Sequence, residues 1–143
     1  MSQMIGNQAF PICSGNLANM CAFIESQLTA LHISPNLSSH LELASEEALT
    51  NIILYSGLNE NSLIHISFFI LEEPFGIQIV ITDDGIPFNP LLTNIAHAHI
   101  KMTVEARPIG GLGIFLMKML MDKIEYKRIN GKNVLTLTKL QKL

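Results

Sequence analysis

Apolar residues recur at helical spacing from Leu37 onward, and the pattern predicts a helix over Leu41–Tyr55, LELASEEALTNIILY. At roughly 100° per residue, Leu37, Leu41, Ala44, Ala48, Ile52 and Tyr55 gather on one side. Leu43, Leu54 and Leu58 widen that apolar arc, and Glu42, Glu46 and Thr50 fill the opposite side. Glu47 and Asn51 fall inside the wide arc, one turn apart, so their side chains stack. A carboxylate placed among leucines is costly to bury without a partner. Two readings stand at this point: a structural polar pair at the edge of the buried face, or two members of a site.

The rest of the chain supplies the other elements. A short strand is expected near Ala9–Cys13, after a loose start. Ser14 or Asn16 is placed to cap a helix running to about Leu31, with Leu17, Met20, Cys21, Ile24, Leu28 and Leu31 at helical spacing. Ser34-Pro35 is a strong start signal for the next helix, and Gly57 a stop. Leu63–Leu71 and Gly76–Asp83 read as an antiparallel hairpin around Glu73-Pro74. In its second strand Ile77, Ile79 and Ile81 point one way, and Asp83 continues their row while Asp84 points away. Gly85–Gly110 carries prolines at 87, 90 and 108 and no convincing periodicity beyond a short helix within Leu91–Val104. A segment of that length suits a functional lid or a disordered loop. Leu112–Ile124 reads as a helix entered through Gly110-Gly111-Leu112-Gly113. Strands near Ile124–Ile129 and Val134–Leu140 follow, joined by Asn130-Gly131. Met117, Met119 and Met121 read as core filler.

Composition narrows the class. The chain has 143 residues, 48% of them hydrophobic, enough for one domain with a sizeable core. No stretch offers the run of about 18 uncharged apolar residues that spans a membrane. No basic residue precedes the first apolar stretch, as a secretory signal would require. Cys13 and Cys21 suit reduced thiols in a cytoplasmic protein. Residues 1–100 hold nine acids and no Lys or Arg, whereas residues 101–143 hold all nine basic residues and three acids. That asymmetry suggests a C-terminal part facing something anionic. A nucleic-acid binder would be more basic overall, with aromatics interleaved.

Three features converge on nucleotide chemistry. Backbone N–H groups at a helix start, uncrowded at Gly111 and Gly113, suit phosphate oxygens. A carboxylate at the mouth of an apolar face, Asp83, accepts hydrogen bonds from an exocyclic amine such as that of adenine. Asn51 offers an amide oxygen of the kind magnesium takes alongside phosphates and waters. Glu47, one turn away, is placed to take a proton from a nucleophile attacking a γ-phosphate. The GGLG run lacks the Lys-Ser/Thr ending of a Walker A loop and follows no strand, so the common phosphate-loop folds are excluded. His97-x-His99 lacks the further ligands of a zinc site.

These motifs resemble the histidine-kinase-like ATPase superfamily of gyrase, a heat-shock chaperone, sensor histidine kinases and mismatch-repair ATPases. Glu47-Ala48-Leu49-Thr50-Asn51 is similar to its N box, and Asp83-Asp84-Gly85-Ile86-Pro87-Phe88-Asn89-Pro90 to its first glycine box. Arg107-Pro108-Ile109-Gly110-Gly111-Leu112-Gly113-Ile114-Phe115-Leu116 resembles the second. The resemblance covers roughly residues 10–140, and its wording is that of the bacterial anti-sigma-factor serine-protein kinases.

The resemblance implies an α+β fold, a two-layer sandwich of a mixed, largely antiparallel sheet with helices on one face. It implies a single ATPase domain over residues 1–143 with an ATP lid at about 85–110. Asn51 would ligate Mg2+ and Glu47 would be the general base. Asp83 would hold the adenine amine, with Gly85 permitting the close turn beneath the ring. Gly111, Leu112 and Gly113 would present phosphate-binding N–H groups, and Arg107 would reach the phosphates from the lid. Such proteins use ATP and Mg2+, bind a sigma factor, phosphorylate a serine of an anti-sigma-factor antagonist, and often form homodimers. The alternative is a module that binds ATP and a partner without transferring phosphate. Two departures stand out: Tyr55 occupies a place where many relatives have His, and no hydroxyl on the last hairpin is assigned behind the adenine.

Overall fold

Alternation of apolar and polar residues builds most of the sheet, and backbone pairing with one buried anchor, Phe10, builds its first edge. The computed structural model describes residues 2–12, 16–59, 61–92 and 113–141. In chain order these form β1 (Ser2–Pro11), α1 (Asn16–Ala30), α2 (Pro35–Tyr55), β2 (Leu63–Leu71) and β3 (Gly76–Asp83). A 3-10 turn at Pro90–Leu92, α3 (Gly113–Leu120), β4 (Lys123–Ile129) and β5 (Lys132–Leu140) complete them. The strands form one sheet in the order β1-β2-β3-β5-β4. Its four pairings are all antiparallel.

Local chemistry sets several boundaries where the sequence predicts them. Ser34 caps α2, its Oγ accepting from the Leu37 N–H at 3.2 Å, with Pro35 in the first turn. Gly57 ends α2 in the left-handed region at φ 67°. Asn130 and Gly131, at φ 50° and 76°, make the two-residue turn between β4 and β5.

The sheet's inner face carries Ile64, Ile66 and Phe68 of β2, Ile77, Ile79 and Ile81 of β3, and Leu135 and Leu137 of β5. One core joins them to Met20, Ile24 and Leu28 of α1, Leu41, Ala48, Leu49 and Ile52 of α2, and Ile114 and Met117 of α3. The helices therefore lie on one face, which makes two layers. Phe10, Phe23 and Phe68 stack edge to face, with centroids 5.7 and 5.8 Å apart, and tie β1 and α1 to the central strands.

Some expectations change. β1 begins at Ser2 rather than near Ala9 because its backbone pairs with β2, although its side chains are mostly exposed. α3 stops at Leu120 because pairing with β5 takes over: the Asp122 N–H donates to Thr138 O at 2.9 Å. Leu43 and Leu54 are exposed, so the buried arc of α2 is narrower than the apolar residues suggest, and Ser45 and Leu49 lie inside it. Met119 is 79% exposed and is not core. Cys13, His97, His99 and the lid beyond Leu92 lie outside the described residues. Phe68→Ala is expected to lower unfolding free energy by about 3–5 kcal/mol in urea titrations, since it empties the contact between the layers.

Candidate functional site

Asp83 is the last residue of β3, and strand alternation places it on the core face, where it is 2% exposed. Its Oδ1 accepts from the Gly85 N–H at 2.8 Å and from Asn133 Nδ2 at 2.9 Å. Asn133 is its register partner on β5. Oδ2 takes no hydrogen bond from the described residues, so one acceptor remains for an incoming donor.

Beyond Asp83 the chain crosses the C-terminal end of α2. A Cβ at Gly85 would lie 2.3 Å from Ser56 O and 2.9 Å from Asp83 Oδ1. The Ile86 N–H donates to Ser56 O at 2.8 Å. The Tyr55 and Phe88 rings meet at 5.7 Å. Arg128 Nη1 donates to Gly85 O at 2.8 Å from the sheet edge. The end of α2, carrying Asn51, is thus fixed against the strand end carrying Asp83.

Asn51 is 1% exposed, and its Nδ2 donates to Glu47 O at 2.8 Å. That bond orients the amide, because a flip would set oxygen against oxygen. The Asn51 Oδ1 is buried and has no partner among the described residues. Glu47 lies at the rim of the buried arc, half-buried, beside exposed Leu43 and Leu54. Its carboxylate sits against the first residue of α3, where a Cβ at Gly113 would come within 2.0 Å of Oε2. Burial, and then the neighbouring Glu46 charge, push the Glu47 carboxyl above the usual carboxylate range.

Of the residues singled out from sequence, three pairs are in contact: Glu47 with Asn51, Glu47 with Gly113, and Asp83 with Gly85. Asn51 lies between Glu47 and the helix end that Gly85 crosses. Arg107, Gly111 and Leu112 lie outside the described residues. Sequence reasoning missed Asn133, Tyr126 and Ser56. Register could have placed Asn133 opposite Asp83, but only once β5 is known to pair with β3.

These residues fit ATP and magnesium on their own chemistry. An orphaned amide oxygen is a hard donor of the kind magnesium accepts. Among the described residues, no group of three or more His, Cys, Asp or Glu could hold a metal. Asp83 can only accept when ionised, which suits an amino-bearing base. The start of α3 offers backbone N–H groups to anions.

Comparison with known proteins places the chain in an ATPase family. The family described as "Histidine kinase-like ATPase domain" matches residues 10–139. The serine-protein kinases RsbW of Bacillus mycoides (strain KBAB4) and Bacillus cereus (strain AH187) are each 31% identical over 104 residues, 71% of this chain. The match spans 64% of those relatives, less than two thirds of their length. A chain of the crystal structure of the SiaB–SiaC complex from Pseudomonas aeruginosa shares the fold, with a TM-score of 0.61 and 14% identity. That likeness covers 96% of this chain and 91% of the other.

Two expectations follow from the site. Gly85→Ala drives a methyl into the backbone of α2 and is expected to cost about 1–3 kcal/mol of stability. Gly113→Ala meets chiefly the movable carboxyl end of Glu47, with Glu47 Cβ at 3.2 Å, and should stay within about 1 kcal/mol of wild type in the same denaturation assay. A carboxyl whose folded pKa is raised binds a proton that the unfolded chain has released, so stability falls as pH rises through that window. Glu47→Gln should therefore be more stable than wild type at about pH 8, with the difference gone at about pH 3.

Proposed function

Because the chain belongs to the histidine kinase-like ATPase family, we propose that it is an ATP-dependent serine-protein kinase and anti-sigma factor acting in the cytoplasm. It binds a sigma factor and phosphorylates a serine of an anti-sigma-factor antagonist, switching partners. The observation that carries this reading is the placement of Glu47, a carboxylate above its usual pKa, against the start of α3 and one turn from the orphaned Asn51 oxygen. The similarity to serine-protein kinases supports the reaction class.

In this reading Asp83 Oδ2 accepts from the adenine amine, with Gly85 leaving space beneath the ring. The N–H groups at Gly111, Leu112 and Gly113 hold phosphate oxygens, and Arg107 reaches them from the lid. Asn51 Oδ1 ligates magnesium, which when bound neutralises charge on the transferring phosphoryl group. Glu47 takes the proton of the partner's serine hydroxyl as its oxygen attacks the γ-phosphorus and ADP leaves. Partial burial suits this role, because a carboxylate with a raised pKa is a stronger base.

Glu47→Gln tests the proposal. It should bind ATP within a few-fold of wild type and lose phosphotransfer to the antagonist by at least about 100-fold, read with labelled ATP. Wild-type protein that transfers no phosphate to any co-purifying small antagonist would mark a domain that binds ATP and a partner only.

A further inference from the structure

Asn133 is 4% exposed, and every hydrogen-bonding capacity of its amide is taken. Nδ2 donates to Asp83 Oδ1 at 2.9 Å and to Ile86 O at 2.8 Å. Oδ1 accepts from the Phe88 N–H at 3.2 Å and from the Tyr126 hydroxyl. Two of these neighbours can only accept where they meet the amide, and the other two donate. The amide therefore has one orientation; flipping it would set its oxygen against both Asp83 and Ile86. A serine or threonine hydroxyl here carries one donor and would leave either the carboxylate or the Ile86 carbonyl unpaired.

We propose that Asn133 is the positioning residue that sets base specificity at this site, resting on the reading of Asp83 as the adenine contact. Asn133 has nothing left to offer a ligand, so it acts through Asp83. With the Gly85 N–H it engages Oδ1 from two sides, which fixes the carboxylate plane and leaves Oδ2 as the acceptor that faces an amine. By holding Ile86 O and the Phe88 N–H as well, it fixes the chain that follows the carboxylate in the same register. The half-buried Tyr126 on β4 donates to the amide oxygen and so helps hold the amide in this orientation. The resulting site accepts a 6-aminopurine and disfavours a base with hydrogen or oxygen at that position.

The test titrates wild type, Asn133→Ala and Tyr126→Phe with ATP and with purine riboside 5′-triphosphate, which lacks the 6-amino group, and follows thermal unfolding of each. Wild type should prefer ATP by about tenfold or more. Asn133→Ala should bring the two affinities within about threefold of each other, through lost ATP binding with little change for the deamino analogue. Tyr126→Phe removes one donor from a half-buried ring and should narrow the preference by a smaller factor. A folded Asn133→Ala that keeps the wild-type ratio, or weakens both ligands equally, overturns the proposal. Should Asn133→Ala not fold, Tyr126→Phe decides alone, and an unchanged ratio overturns it. Wild type showing no preference would instead overturn the adenine reading, and this proposal with it.

Discussion

The contact between Gly85 and the carbonyl of Ser56 is the constraint on which the site depends. Nothing larger than hydrogen fits there, since a Cβ would stand 2.3 Å from the Ser56 oxygen. The same carbonyl accepts the Ile86 N–H, so the chain leaving β3 is fastened to the last turn of α2 by backbone alone. Backbone contacts cannot be adjusted by rotating a side chain, which makes this junction stiff. It sets the spacing between Asp83 on the sheet and Asn51 on the helix, two residues with no direct bond to each other. Arg128 braces the same point from outside through Gly85 O, and Asn133 braces it from the sheet through Ile86 O.

Burial then divides the work along α2. Asn51 lies inside the buried arc and Glu47 at its rim. A neutral amide tolerates full burial with one bond made and one oxygen left over, whereas an ionised carboxylate needs donors such as those Asp83 receives from Gly85 and Asn133. The rim position leaves Glu47 enough solvent to ionise and enough protein around it to raise its pKa. On the proposed reading, that boundary suits a base that must take a proton and give it up again, and the turn below it suits a metal ligand that keeps one orientation.

Periodicity and turn chemistry made much of this legible. The β2–β3 hairpin, the Ser34 cap and the Asn130-Gly131 turn rest on local signals, and each stands where those signals put it. The alternation that buries Ile77, Ile79 and Ile81 also carries Asp83 inward. What escaped was set by long-range pairing. β1 is held by its hydrogen bonds to β2, which composition does not report. Leu43 and Leu54 look like core residues on a helical wheel, but α2 has neighbours on only part of its circumference. Asn133 was invisible as a site residue because its meaning comes from the β3–β5 pairing across 50 residues of sequence.

That pairing also changes how the charge asymmetry reads. A stretch rich in Lys and Arg invites an electrostatic explanation, an anionic ligand facing a basic surface. Two of those residues have local work instead. Lys139 Nζ donates to Leu120 O at 2.6 Å, satisfying a carbonyl at the C-terminal end of α3, where a cation also complements the helix dipole. Arg128 is committed to Gly85 O. Lys123 makes a surface pair with Glu125 at 3.5 Å, a contact worth little in water. The β4–β5 hairpin is thus a frame that uses positive charge to hold carbonyls which the helix end and the loop leave unpaired. It encloses the Asp83 side of the site on the strength of hydrogen bonds, and its net charge alone would not have indicated that role.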